Sequence, residues 1–192
     1  MKSNRLLAVL LLLLAGGVVP LSAQPTAAER REFAAVKAKA DRGDVEAQLI
    51  LASFYARGIG VAKDLKKAAK VLRQAAEQGA ASAQCRLGLS YLNGDGVKPD
   101  QVEAVRWFRR AADQGLAEAQ FDLGLCYASG EGVNRDVAEA AAWYRKAADQ
   151  GLPDAQCELG NCYLEGNGVP KDIHEGVKWT RLAAEQGFAP AQ

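Results

Sequence analysis

Residues 119–133 read AQFDLGLCYASGEGV, and the chain repeats this stretch. Residues 83–97 are AQCRLGLSYLNGDGV, residues 155–169 are AQCELGNCYLEGNGV and residues 47–61 are AQLILASFYARGIGV. Each start lies 36 residues after the last, and Ala191-Gln192 begins the stretch once more. A fixed period of this length signals a stack of identical supersecondary units. One such unit cannot bury its apolar face alone and must bury it against its neighbours.

Leu51, Leu87, Leu123 and Leu159 precede Tyr55, Tyr91, Tyr127 and Tyr163 by four residues. That spacing puts both on one face of a helix. Between them sits a small residue, Ala52, Gly88, Gly124 or Gly160. Glycine costs roughly 1 kcal/mol relative to alanine inside a helix, so its recurrence predicts close approach of a second helix. The G-x-G that follows, as in Gly130-Glu131-Gly132, ends the first helix and turns the chain. A phosphate-binding loop would need a third glycine, a preceding strand and a Lys-Ser/Thr pair, all missing here. Asp64, Asp100, Asp136 and Asp172 are placed to cap a second helix. That helix carries Val71, Trp107, Trp143 or Trp179 and then the alanine pairs 75-76, 111-112, 147-148 and 183-184. Gly79, Gly115, Gly151 and Gly187 stop it. Pro153 and Pro190 fall where the next helix begins, a position that tolerates proline.

The combined pattern A-Q-x-x-L-G-x-x-Y-x-x-G-x-G-V, then D, then A-x-x-W-[FY]-x-x-A-A-x-Q-G resembles the Sel1-like repeat family, a relative of the tetratricopeptide repeat. It reads almost unbroken from Ala83 to Gly187, and the first copy departs with Ala52 for Gly and Val71 for Trp. The resemblance implies an all-α fold, a right-handed α-α solenoid whose first helices line a concave surface. It also implies a protein–protein interaction role without naming a substrate. The expected organisation is a signal peptide at 1–23, a linker at 24–28 and an N-terminal capping helix at 29–46. Repeats follow at 47–82, 83–118, 119–154 and 155–190, with 191–192 starting an incomplete fifth. Ala35 stands where the capping helix would carry a tryptophan.

Lys2 and Arg5, the apolar run from Leu6 to Val19 and the small-residue exit Leu21-Ser22-Ala23 have the layout of a secretory leader. The run is shorter than the ~20 residues needed to span a bilayer. Export to the periplasm, or secretion, is therefore expected, with no stable membrane insertion once the leader is removed. Net charge is +1 for the whole chain and falls to −1 without Lys2 and Arg5. No basic face stands out, which argues against nucleic acid. The last second helix, expected at about Ile173 to Glu185, would have one side uncovered at this chain end. Either the chain is a truncated product or another molecule covers that face. Self-association through residues 173–192, or fraying of the last repeat, is expected.

Four cysteines in an exported chain invite a disulfide framework. Cys126 and Cys162 occupy equivalent points of adjacent repeats, where helices ~8–10 Å apart exceed the ~7 Å reach of a bridge. Cys157 and Cys162 share a helix, and Cys85 and Cys157 lie two repeats apart. Cysteine as a small hydrophobe is the expected role. His174, the only histidine, stands beside Asp172 and Glu175 with no cysteine near it. No four-ligand metal set and no cofactor motif is present. Some exported Sel1-like proteins have been linked to cell-wall or β-lactam-directed chemistry, which gives the alternative to a scaffold. Ser82, Ser90 and Ser129 lack the lysine three residues on that such chemistry uses.

By analogy with the tetratricopeptide fold, the concave surface is expected to carry Leu49, Cys85, Phe121 and Cys157. Ser53, Leu89, Leu125 and Asn161 come one turn on, then Leu92 and Leu164. Glu46, Glu118 and Asp154 open the same helices. This is an apolar strip with an acidic edge, suited to an amphipathic or extended peptide with basic flanks. Packing of Phe121 and Leu125 between repeats remains the other reading. Trp107, Trp143 and Trp179 are expected to be buried, with Trp179 the least covered.

Overall fold

The computed structural model describes residues 24–187. The segment expected to be a leader, Pro190 and Ala191-Gln192 lie outside the described residues. Among these residues there are nine α-helices and no strand: α1 Ala27–Ala40, α2 Val45–Arg57, α3 Leu65–Glu77, α4 Ala81–Asn93, α5 Gln101–Asp113, α6 Ala117–Ser129, α7 Val137–Asp149, α8 Pro153–Glu165 and α9 Ile173–Glu185. Every helix packs against the helix before and after it in the chain, which makes the fold an α-solenoid.

The local chemistry explains the helix ends. Asp64, Asp100, Asp136 and Asp172 each accept a hydrogen bond from a backbone N–H of the first turn that follows. Thr26 and Glu29 form a reciprocal capping box that starts α1 at Ala27, two residues ahead of the helix start aligned at Glu29. The first helices end at Gly58, Gly94, Gly130 and Gly166 in the left-handed conformation.

Gly132 shows why the second glycine of the turn is needed. Its φ is +70°, and a Cβ there would run into the backbone carbonyl of Gln101, the first residue of α5. The turn of one unit therefore sits directly on the second helix of the unit before. Gly124 serves the close approach expected of it. A Cβ would lie 2.6 Å from the Tyr144 ring, so the glycine opens room for an aromatic on the facing helix.

Trp107, Trp143 and Trp179 are 4%, 5% and 8% exposed. Trp143 clusters with Ala111, Ala112, Ala119 and Leu123, and Trp179 with Ala147, Ala148, Ala155 and Leu159. Each ring thus faces back, onto the alanine pair of the preceding unit. All three are buried and Trp179 is the least covered, as expected, though the difference is small. The same geometry fits Ala35, which is exposed: among the described residues no helix precedes α1 to offer it an alanine pair. In the first repeat Val71 does the tryptophan's work against Ala40, Ala47 and Leu51.

Two polar devices recur at the junctions. Gln120 is 6% exposed, and its Nε2 donates to the Ala112 carbonyl at 3.2 Å while its Oε1 accepts from Gln150 at 2.8 Å. Gln48, Gln84 and Gln156 repeat both bonds. Arg73, Arg109 and Arg145 donate to the hydroxyls of Tyr91, Tyr127 and Tyr163 of the following unit and lie over their rings, 5.4–5.6 Å from the centroids. On α9, Val177 is 53% exposed, whereas its counterparts Ala69, Val105 and Ala141 are buried.

Candidate functional site: a groove across the first helices

The first helices α2, α4, α6 and α8 come together along a face with three hollows. The central one, about 510 Å³, spans α4 and α6 and reaches the start of α8. It is lined by Cys85, Leu89, Glu118, Phe121 and Asp154 of the expected set, joined by Ser82, Arg86, Leu116, Asp122 and Leu152. A hollow of about 320 Å³ toward the N-terminus takes in Ser53 and shares Arg86 and Leu89. A third, about 240 Å³, holds Asn161 with Glu158 and Tyr144.

The remaining expected residues are placed differently. Leu49 is half-buried against the core of the first repeats, and Leu92 packs on the cluster containing Phe108. Leu164 lies over Gly176, where a Cβ would meet its side chain at 2.7 Å. Cys157 is buried, and Glu46 is exposed on the first turn of α2. Leu125 is 41% exposed. Phe121 is half-buried with its ring 5.8 Å from that of Tyr144, so it both borders the hollow and packs within the array.

Leu116 and Leu152 escaped the sequence reading, though a signal for them exists. They stand at the N-cap positions of α6 and α8, where α2 has Asp44, and neither makes a side-chain cap. Losing a polar cap costs about 1 kcal/mol, and these leucines line the hollow instead.

Charge is unevenly placed. Helices α6 and α8 carry Glu118, Asp122, Asp154, Glu158 and Glu165 and no Lys or Arg, while α3 carries Lys66, Lys67, Lys70 and Arg73. Burial pushes the Asp122 carboxyl up from 3.8 to about 6. Its side-chain donor is the Cys85 thiol, Sγ to Oδ2 3.5 Å, a weak bond. Burial, then the charge of Asp122, pushes Cys85 up to about 12. Burial likewise raises Cys126 and Cys162 to about 11. All four thiols are free and buried, which leaves them poor nucleophiles.

A carboxyl that holds its proton more tightly in the folded chain favours folding when protonated. That contribution is complete below the unfolded value near 3.8 and is lost as pH rises through about 6. Asp122→Asn should therefore stabilise the chain by about 1–2 kcal/mol at neutral pH, allowing for solvent around a partly buried group. Urea unfolding at pH 7.5 and pH 4 checks this: the gain should be present at the first and largely gone at the second.

A groove laid across successive helix pairs, with the pairs stacked by a fixed period, defines an α-solenoid repeat protein. The Sel1 repeat model matches residues 45–79, 81–116, 117–152 and 153–188, and the chain belongs to the Sel1 repeat family. This fold typically serves as a non-enzymatic interaction scaffold. No curated protein matches. Among solved structures, the chain is similar to c5321, a protective antigen of uropathogenic Escherichia coli with the same fold, at 43% identity and a TM-score of 0.81 over 83% of this chain and 34% of that one. It is also similar to a Sel1 repeat protein from Oxalobacter formigenes at 37% identity and a TM-score of 0.78, covering 85% of this chain and 47% of that one. The chain thus spans about a third and about half of these two relatives. Helicobacter pylori cysteine rich protein B shares the fold at 24% identity and a TM-score of 0.56, over 66% of this chain and 94% of that one. Among the described residues no helix is long and apolar enough to cross a membrane.

Proposed function

We propose that the chain is an exported, non-catalytic scaffold that holds a partner protein or peptide in the groove of its first helices, which form the concave face, with the periplasm as the expected compartment. The observation that carries this reading is the central hollow, where apolar walls and unpaired carboxylates meet on one face. Leu89 in that hollow and Leu125, its equivalent one repeat on, are 38% and 41% exposed, whereas Leu87 and Leu123, two residues before each, are fully buried. Exposed leucines aligned across adjacent repeats are what a partner's apolar side chains dock on. The enzymatic alternative draws less support. The thiols are buried with raised values, and His174 is exposed at the start of α9.

The double substitution Leu89→Ala and Leu125→Ala tests the proposal. Both side chains are exposed, so the fold should hold, with a change of melting midpoint no larger than a degree or two. Partner recovered from envelope extract by the tagged chain should drop about tenfold, the loss of roughly 1.4 kcal/mol. Undiminished recovery with intact helicity would move the binding face elsewhere. Phe121→Ala with Leu125→Ala is less clean, because Phe121 also packs on Tyr144.

A further inference from the structure

Helices α6 and α8 present five carboxylates and no basic residue. Of these, Asp122 is half-buried in the wall of the central hollow. Leu89, Leu116, Phe121 and Leu152 wall the same hollow. Among the described residues no lysine or arginine reaches Asp122 to form an ion pair. Arg86, the one cation on α4, turns away to the Ser53 hydroxyl at 3.2 Å. Sister repeats carry Ile50, Arg86 and Glu158 at this position, so an inward carboxylate is not demanded by the repeat itself. A carboxylate among apolar side chains, held only by a thiol, costs the fold stability. Such a local misfit marks a functional position when a compensating ligand fits it.

The fitting ligand has an aliphatic stem and a cationic head. Lysine and arginine side chains lay their methylenes along apolar surface while the head seeks a carboxylate. We infer that the hollow between α4 and α6 receives a lysine or arginine side chain of the bound segment, with Asp122 as its counter-ion and Leu89, Leu116, Phe121 and Leu152 enclosing the stem. This inference rests on the groove proposed above as the partner-binding face. Glu118 and Asp154 at the rim add attraction for a positively charged segment and repel an anionic one. The partner is thus a polypeptide with a basic residue next to apolar ones.

The probes are two short amphipathic peptides of one pattern, one of leucine and lysine, the other of leucine and glutamate, titrated calorimetrically into the full chain. The leucine-lysine peptide should bind at least about tenfold more tightly. Asp122→Asn should weaken it about tenfold while leaving the fold at least as stable as before. Around Asp122 stand Glu118 on its own helix, Cys85 and Arg86 on α4, and Asp154 across the hollow. Binding to the wild-type chain should weaken as pH falls through about 6, where Asp122 takes up its proton, and the Asp122→Asn chain should lack that step. Equal binding by the wild-type and Asp122→Asn chains, with loss on Leu89→Ala and Leu125→Ala, would overturn the role of Asp122 and leave the groove standing. A preference for the glutamate peptide would overturn the charge assignment. If neither peptide binds, the inference and the groove fall together.

Discussion

Replacing Trp143 with alanine should lower stability by about 3–5 kcal/mol, and replacing Trp179 should cost about 1–2 kcal/mol less. Both rings are buried and both rest on the alanine pair of the preceding unit, so each substitution opens the same cavity at a junction. They differ in one bond. Trp143 Nε1 donates to Glu139 at 2.9 Å, whereas the buried Trp179 Nε1 has no partner, because Glu175 pairs with Lys178 at 2.9 Å. Removing Trp143 therefore also forfeits a charge-assisted bond worth about 1–2 kcal/mol, while removing Trp179 relieves an unsatisfied N–H. Denaturant unfolding of the two variants should separate them by about that margin. A Trp179→Ala chain as stable as the parent would mean that the last unit is not docked as described.

Gly132→Ala should cost about 3 kcal/mol or more, because strain and collision add. The left-handed φ of +70° disfavours alanine by about 1–2 kcal/mol. The new methyl also meets the Gln101 carbonyl, which is backbone and cannot swing aside. The turn must lift from α5, opening the junction between units. Gly151→Ala is the control: φ is +89°, yet a Cβ there meets nothing within 4 Å, so only the conformational strain remains. Thermal melts of both variants should show the Gly132 substitution at least twice as damaging. Equal effects would remove the turn-on-helix seat from the account.

The repeat period, the helix pairs, the Asp caps and the glycine turns were legible because each follows from local chemistry repeated four times. The direction in which the tryptophans face was not, since periodicity places a side chain on a helix face without saying which neighbour covers it. Gln120 and its equivalents were read as markers of a repeat start. Their role as buried bridges to the preceding helix needs a partner carbonyl eight residues back, brought near only by the fold. Leu89 and Phe121, expected in the groove by analogy of position, line the central hollow. Leu92 and Leu164 were placed there by the same analogy, but they lie at the end of the first helix where it turns onto its partner. Asp122 was passed over because its sister positions, Ile50, Arg86 and Glu158, share no property that a repeat alignment would flag. Departures from the repeat, more than agreements with it, point to the site.

Hydrogen exchange of the chain with and without its captured partner tests the central claim most directly. The account predicts slowed exchange along α4 and α6 and the start of α8, with α5 and α7 unchanged. Protection confined to the second helices, with the first helices exchanging as in the free chain, would contradict it.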